Sequence, residues 1–277
     1  MSNKIIKLYK YGHEYLNKHN IRPLFIRKLN QFIIKKIKTN HVEIDGHKIY
    51  LDKPDSMRLS TRGYFESEIT ESFKNYVKEG DTVVDIGAHI GYHTLTLAKL
   101  VGEKGKVYAF EPCPEIFELL KKNINVNGYK NVILINKAVS NSADKHIFYV
   151  DKTGRNSLIN STSIKLTQSI EVDTIRLDDL NIKPNLIKMD IEGGEIKALR
   201  GMNDTIKKNQ VVLITEYAPF YFEDPTELIR IIEEVGFKTI YNLFDNGKVE
   251  LFDYNNINRY IPEGKNITSN TNLVCTK

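Results

Sequence analysis

The 277-residue chain has no tryptophan, only two cysteines, and no apolar run close to twenty residues. Each absence closes off a class of protein. A membrane-spanning helix needs about twenty predominantly apolar residues in succession, and a secretory leader needs a basic start followed by a shorter apolar core. Neither pattern is found, so the expectation is a cytoplasmic protein. Cys113 and Cys275 are distant in sequence and flanked by nothing metal-like, which argues against a disulfide framework or a zinc site and for reducing conditions. Fifteen Tyr and 12 Phe make up for the missing tryptophan, and a chain of this length can close a sizeable core. Excess charge is also missing from most of the sequence. Residues 1–40 hold ten Lys and Arg against one acid, Glu14, a net +9 that leaves −4 for the rest of a chain totalling +5. A nucleic-acid reader is expected to carry a basic face, so no nucleic-acid partner is expected for the main domain.

The dinucleotide fingerprint G-x-G-x-x-G is missing too, and what stands near its place is the most informative segment of the chain. Thr82-Val83-Val84-Asp85-Ile86 is an apolar run ending near an acid, followed by Gly87-Ala88-His89-Ile90-Gly91 and then Tyr92 opening a helical stretch. A second run, Lys106–Phe110, leads into Glu111-Pro112. Strand, glycine turn, helix and strand with a terminal carboxylate outline a nucleotide pocket at the switch point of a parallel sheet. His89 occupies the position of the second fingerprint glycine, where a side chain crowds a pyrophosphate, and Asp85 adds repulsion. A ligand with a cationic amine and a ribose suits the pattern, and S-adenosylmethionine is one. Its amine would lie near Asp85, its carboxylate near the helix start at Gly91, and its ribose hydroxyls on Glu111. The plain alternative is an ordinary α/β turn without a ligand.

With a further block, Leu186-Ile187-Lys188-Met189-Asp190-Ile191-Glu192-Gly193-Gly194-Glu195, the chain resembles the FkbM-type S-adenosylmethionine-dependent methyltransferases. The resemblance runs over roughly residues 60 to 275. It takes in Tyr64-Phe65-Glu66, Asp85 to Thr94, Phe110-Glu111-Pro112, Asn136 to Ser140, Asn156-Ser157-Leu158 and Leu177 to Leu180. It implies an α/β class I (Rossmann-like) fold with a seven-stranded, mostly parallel sheet, helices on both faces and an antiparallel last strand. It also implies methyl transfer, usually to the oxygen of a sugar or polyketide hydroxyl. By the same resemblance Ala138 and Val139 present backbone to the adenine, the segment around Glu66 forms part of a lid over the cofactor, and Asn156-Ser157-Leu158 covers the acceptor. For Glu66 the alternative is an acid favoured by a helix N-terminus; for Asn156-Ser157-Leu158 it is a simple turn. The family usually has Asn in place of His89 and an acid in place of Cys113. Cys113 itself reads as a buried passive thiol, or as a residue lining the ribose pocket.

Asp85, Glu111, Asp190 and Glu216 each fall at or near the carboxyl end of an expected strand, where ligands bind in such sheets. Four acids on one rim repel each other and need solvent or cationic partners. Transfer to a sugar hydroxyl is an in-line displacement at the sulfonium methyl, helped by positioning and by a base or metal that takes up the hydroxyl proton. Asp190 and Glu192 are the candidate bases, facing the same way if the strand persists through both. His89 and His93 are alternatives, although His93 reads better as a packing residue. No His/Asp/Glu spacing is diagnostic of a metal; a divalent cation on Asp190 with Glu216 or Glu192 is the alternative to a base. Glu195 is explained by the dipole of the helix it opens.

Residues 1–60 read as a basic helical extension followed by a hairpin, and 61–277 as the cofactor-binding domain. Ile26, Leu29, Ile33 and Ile37 recur at helical spacing among lysines. Such a helix either docks on the domain or makes peripheral membrane contact. Asp45-Gly46 supplies the hairpin turn. Strands are expected near 82–86, 106–111, 131–137, 185–190, 210–216, 237–244 and 273–275, and helices near 91–101, 114–127, 195–207 and 225–235. The insert between the third and fourth main strands has strand-like runs at 146–150 and 170–175. Competing functions are a non-catalytic cofactor-binding scaffold, a nicotinamide oxidoreductase and a nucleic-acid methyltransferase. The last is disfavoured by Asp190-Ile191-Glu192-Gly193, which does not match the Asn/Asp-Pro-Pro-aromatic pattern of N-methylating enzymes.

Overall fold

A computed structural model of the chain describes residues 40–150, 168–244, 248–253 and 271–277. The basic helices expected in residues 1–40, apart from Asn40 itself, and the segment Asn156-Ser157-Leu158 lie outside these residues. The chain divides into two compact units, Met1–Phe65 and Glu66–Lys277.

In the first unit, β1 (His41–Ile44) and β2 (His47–Tyr50) pair as an antiparallel hairpin. Asp45 (φ 51°) and Gly46 (φ 85°) both take positive φ, as a two-residue type I′ turn requires. A single-turn helix, α1 (Leu59–Arg62), follows. The Asp55 carboxylate caps it by accepting from the amides of Leu59 (2.9 Å) and Ser60 (3.3 Å).

The second unit begins with α2 (Ser67–Tyr76) and then alternates strand and helix: β3 (Thr82–Ile86), α3 (Tyr92–Val101), β4 (Lys106–Phe110), α4 (Pro114–Val126) and β5 (Val132–Ile135). An insert follows, with β6 (Ala138–Val139), β7 (Lys145–Val150) and β8 (Gln168–Ile175) forming a separate three-stranded sheet in the order β6-β8-β7. The chain returns to the main sheet through β9 (Leu186–Met189), α5 (Glu195–Arg200), α6 (Asn203–Lys208) and β10 (Val212–Tyr217). It ends with α7 (Glu227–Glu234), β11 (Thr239–Leu243), β12 (Val249–Leu251) and β13 (Thr271–Thr276).

The main sheet runs β12-β11-β13-β10-β9-β3-β4-β5. Strands β10, β9, β3, β4 and β5 are mutually parallel, and β13 inserts antiparallel between β10 and β11. The seven expected strands are all present. The short β12, antiparallel to β11, adds an eighth at the edge.

Strand residues alternate between two cores, as the period of two demands. Val83, Val107, Leu186, Ile214 and Val274 pack with Ile69 and Phe73 of α2 and Leu97, Ala98 and Val101 of α3. Val84, Ile86, Phe110, Ile187, Met189 and Leu213 pack on the opposite face with α5, α6 and α7. The order therefore reverses at β3 and β9, and the crevice beyond the carboxyl ends of these two strands is where a doubly wound sheet accepts ligands.

One helix differs from expectation. The run expected over 195–207 breaks at Gly201 and Met202 into α5 and α6. Gly201 lies against the Ser140 carbonyl, so closely that a Cβ there would come within 1.9 Å of it. The first turn of α6 then borrows its cap from outside: Asp178 accepts from the amides of Thr205 (2.7 Å) and Asp204 (3.3 Å). Gly201→Ala is accordingly expected to lower stability by about 1–3 kcal/mol, the usual cost of forcing an atom into a packed site. Urea denaturation checks this; an unchanged midpoint would show that the backbone yields there.

Candidate active site

The turn between β3 and α3 is shaped by two glycines. Gly87 (φ +81°) lies under the chain leaving β9, and a Cβ on it would meet the Asp190 carbonyl at 2.0 Å. Gly91 (φ +91°) opens α3, and a Cβ there would strike Leu120 of α4 at 2.7 Å. Both need positive φ and both lack room, which is why the pattern tolerates only glycine at these points. The amides of Gly87 (3.0 Å) and Ala88 (2.9 Å) donate to the Phe110 carbonyl, fixing the turn to the end of β4.

Glu111 stands at that strand end, 4% exposed. One carboxylate oxygen accepts from the His89 amide (3.0 Å) and the other from the Cys113 amide (2.9 Å). The Asn136 side-chain amide donates to the carbonyls of Glu111 (2.8 Å) and Pro112 (3.1 Å), so the segment is braced from behind. His89 adopts a left-handed backbone (φ 49°), which turns its amide toward Glu111. Burial pushes the Glu111 carboxyl up to about 7, while the Cys113 and His89 amides and the Lys188 ammonium pull the other way. Cys113 is buried with Ala138, Phe148 and Val172, and burial raises its thiol. Ala138 and Val139 are buried in β6, paired with Thr174 and Ile175 of β8.

Across the turn lies a charged group whose cation, Lys188, sequence reasoning did not single out. Asp85, Lys188 and Glu216 share the strand parity of Val83, Leu186 and Ile214, so all three side chains project from the α2–α3 face of the sheet. Lys188 is 3% exposed, and Asp85, opposite it in register, is completely buried. Lys188 Nζ lies 3.7 Å from Asp85 Oδ1, 3.7 Å from Asp190 Oδ2 and 3.4 Å from the Gly87 carbonyl. The other Asp85 oxygen accepts from the Thr94 hydroxyl at 2.6 Å. Burial alone would lower the Lys188 pKa, yet Asp190, Asp85, Glu66 and Glu216 together raise it, so the ammonium stays charged. The position beside Asp85 at which a ligand amine was expected is thus held by this ammonium. The signal lay in Leu186-Ile187-Lys188-Met189: a lysine inside a central strand buried on both faces must have anionic partners.

His93, on the first turn of α3, is 3% exposed and packs edge-on against Phe73 and Tyr92. Its Nε2 is 3.0 Å from a carboxylate oxygen of Glu66, the residue preceding α2. Burial first and the Lys188 charge second drive its pKa down to about 3 despite the nearby carboxylates. The imidazole is therefore neutral, and Nε2–H donates to Glu66 in a hydrogen bond rather than an ion pair. A group this hard to protonate is a poor general base near neutrality. Glu66 lies outside any helical cap interaction with its own side chain; it faces the charged group instead.

β9 ends at Met189, so the condition under which Asp190 and Glu192 would share a strand face is not met. Glu192 takes a left-handed backbone (φ 53°) and its carboxylate accepts from the Tyr221 hydroxyl. Asp190 keeps its side chain 27% exposed, beside a lysine that is nearly sealed. Glu195 is more than a dipole acid: it is 2% exposed, caps the Ile191 amide at 3.2 Å, and burial raises it to about 7. Among the described residues no group of three His, Cys, Asp or Glu is arranged to hold a metal ion. Nor, among them, is any helix long and apolar enough to cross a membrane.

A family model described as the methyltransferase FkbM domain matches residues 85–239, which takes in Asp85, Glu111, Lys188, Asp190, Glu192 and Glu216 but not Glu66. The chain belongs to the FkbM methyltransferase family. It is an S-adenosylmethionine-dependent methyltransferase, and its sheet order, with β13 antiparallel between β10 and β11, is that of the class I fold. Over 179 residues it is 26% identical to the hexuronic acid methyltransferase AglP of Haloferax volcanii, covering 63% of this chain and 70% of AglP. A shorter stretch of 59 residues is 41% identical to protein-L-isoaspartate O-methyltransferase 1 of Archaeoglobus fulgidus, spanning 21% of this chain and 27% of that enzyme. Among solved structures it is similar to methyltransferase FkbM of Methylobacillus flagellatus, at 14% identity and a TM-score of 0.44, over 81% of this chain and 55% of that one.

The residues of this FkbM domain fit the cofactor. Glu111 is a carboxylate whose two oxygens are each aimed by one backbone amide, an acceptor pair suited to a vicinal diol. Its folded-state pKa lies above the ordinary 4.5, so the stability linked to it is full below pH 4.5 and is lost as pH rises through about 7. Glu111→Gln is therefore expected to gain stability relative to the parent as pH rises from 5 to 8, at about 1.4 kcal/mol for each pKa unit relieved. Unfolding curves at several pH values test this, and a pH-independent difference would contradict the buried, strained carboxyl.

Proposed function

We propose that this chain transfers a methyl group from S-adenosylmethionine to a hydroxyl of a sugar, in a glycan, a glycolipid or a similar small acceptor, with Asp190 as general base. The observation carrying this reading is that Asp190 combines a partly exposed carboxylate, 27% exposed, with a backbone carbonyl packed directly against Gly87 of the glycine turn. The sugar class is supported by the similarity to a hexuronic acid methyltransferase.

When bound, S-adenosylmethionine supplies an electrophilic methyl group. Glu111 accepts from the ribose hydroxyls, with His89 and Cys113 holding its carboxylate in place. The turn Gly87-Ala88-His89 to Gly91-Tyr92 receives the amino-acid end, supported from beneath by Asp85. Pro112, Ala138 and Val139 flank the adenine, and Glu66 closes the near side. Asp190 takes the proton from the acceptor oxygen, because a sugar hydroxyl is a weak nucleophile at neutral pH. Glu192, whose carboxylate accepts from the Tyr221 hydroxyl, is the second candidate base. The basic composition of residues 1–40 suits a lipid-linked or phosphate-bearing acceptor at a cytoplasmic membrane surface.

The test is methyl transfer from labelled cofactor to neutral hexosides and to hexuronic acids, compared between the parent and Asp190→Asn. The expected result is transfer to a neutral sugar hydroxyl that falls about 10²–10⁴-fold in the variant, while S-adenosylhomocysteine still binds. Undiminished turnover in Asp190→Asn would remove the base assignment. Transfer restricted to the carboxyl group of a hexuronic acid would replace the hydroxyl by an acceptor that needs no base.

A further inference from the structure

The charged group beneath the glycine turn is larger than the assigned chemistry needs. Asp85 comes from β3, Lys188 from β9, Asp190 from the segment after it, Glu216 from β10, Glu66 from the start of α2 and His93 from α3. Asp190, Asp85, Glu66 and Glu216 all act on the ammonium, and Lys188 in turn acts on His93 and on Glu111 at the end of β4. A lone buried ammonium is strongly unfavourable, and removing one partner of such a group leaves the others uncompensated. A nonpolar residue at 188 would leave these carboxylates without the cation that offsets them. The lysine is therefore explained by what it holds.

Three attachments define that role. Lys188 reaches Asp85, the acid under the cofactor turn; the carbonyl of Gly87, within the turn itself; and Asp190, the proposed base. Each lies 3.4–3.7 Å from one nitrogen. The turn and the base belong to different strands, and Gly87 is already packed tightly beneath Asp190, so any displacement of the ammonium is felt on both sides.

We propose that Lys188 is the positioning residue of the active site, a buried cation that ties the cofactor turn to the catalytic carboxylate so that the two are set as one unit. This rests on the reading of the crevice as a cofactor site and of Asp190 as the base. Its consequence is that cofactor binding is sensed at Lys188 without any acceptor present.

The first experiment leaves the chain unmutated. A buried ammonium exchanges its protons slowly enough for its nitrogen–proton signal to be followed by NMR, and Lys188→Arg, which retains the charge, assigns the signal by deleting it. The signal is expected to be visible in the cofactor-free protein and to shift on addition of S-adenosylhomocysteine. The second experiment is calorimetry with the same ligand on Lys188→Met and Lys188→Arg, with folding followed by thermal unfolding. Affinity is expected to fall at least tenfold in Lys188→Met and to recover in good part in Lys188→Arg. If Lys188→Met does not fold, the NMR shift decides by itself. A signal indifferent to ligand, or a folded Lys188→Met that binds within twofold of the parent, would overturn the proposal. Absence of binding to the unmutated protein would instead overturn the cofactor reading on which it rests.

Discussion

The close approach of Gly87 to the Asp190 carbonyl is the constraint on which the rest of this active site depends. It brings the end of β3 against the end of β9 without an intervening side chain, which is possible only because residue 87 has no Cβ. On one side of that contact the turn bends toward β4 and delivers the His89 amide to Glu111. On the other side β9 releases Asp190 toward solvent. Beneath it, the alternation of strand side chains carries Asp85 and Lys188 onto the same face, in register. Glu111 with its amide donors, the partly exposed Asp190 carboxylate and the buried ammonium are thus grouped around one backbone contact.

Such a group of charges in a protein interior has to be supported. Desolvating each ion costs several kcal/mol even after relaxation, while each aliphatic side chain fully buried contributes about 1.5–3 kcal/mol. The core that surrounds the cluster, built by Phe73, Ile69, Leu97 and their partners on the strands, lies on the same face and is continuous with it. Burial and the neighbouring charges together set the protonation states. His93 is held neutral, Lys188 is held charged, and Glu111 and Glu195 are brought close to neutrality in their titration.

Much of this was legible in the sequence because it depends on local rules. The glycine spacing, the apolar runs and the acid after the second strand located β3, α3, β4 and Glu111; Asp45-Gly46 located the hairpin. The antiparallel last strand was also placed. What the sequence concealed depends on partners far away along the chain. The break between α5 and α6 is imposed by Ser140 and capped by Asp178, neither of which is part of the helical pattern. The eighth strand is too short to have a period. The parting of Asp190 and Glu192 follows from β9 stopping at Met189 and from a left-handed residue 192, which no spacing rule fixes. Lys188 was visible as a charge in an apolar strand, but its meaning depended on register: only pairing with β3 puts it beside Asp85. The expectation was that four acids on one rim need solvent or cationic partners; the structure shows both, with Lys188 as the cation and Asp190 and Glu216 partly exposed.

The most direct test of the central claim is a calorimetric titration of the protein with S-adenosylhomocysteine, with NADH as control, repeated on Glu111→Ala. Micromolar binding of the methyl-transfer product that weakens at least tenfold in the variant, with no heat from NADH, is the result the account predicts. No binding of S-adenosylhomocysteine, or binding that does not depend on Glu111, would contradict the placement of the cofactor between the glycine turn and the end of β4.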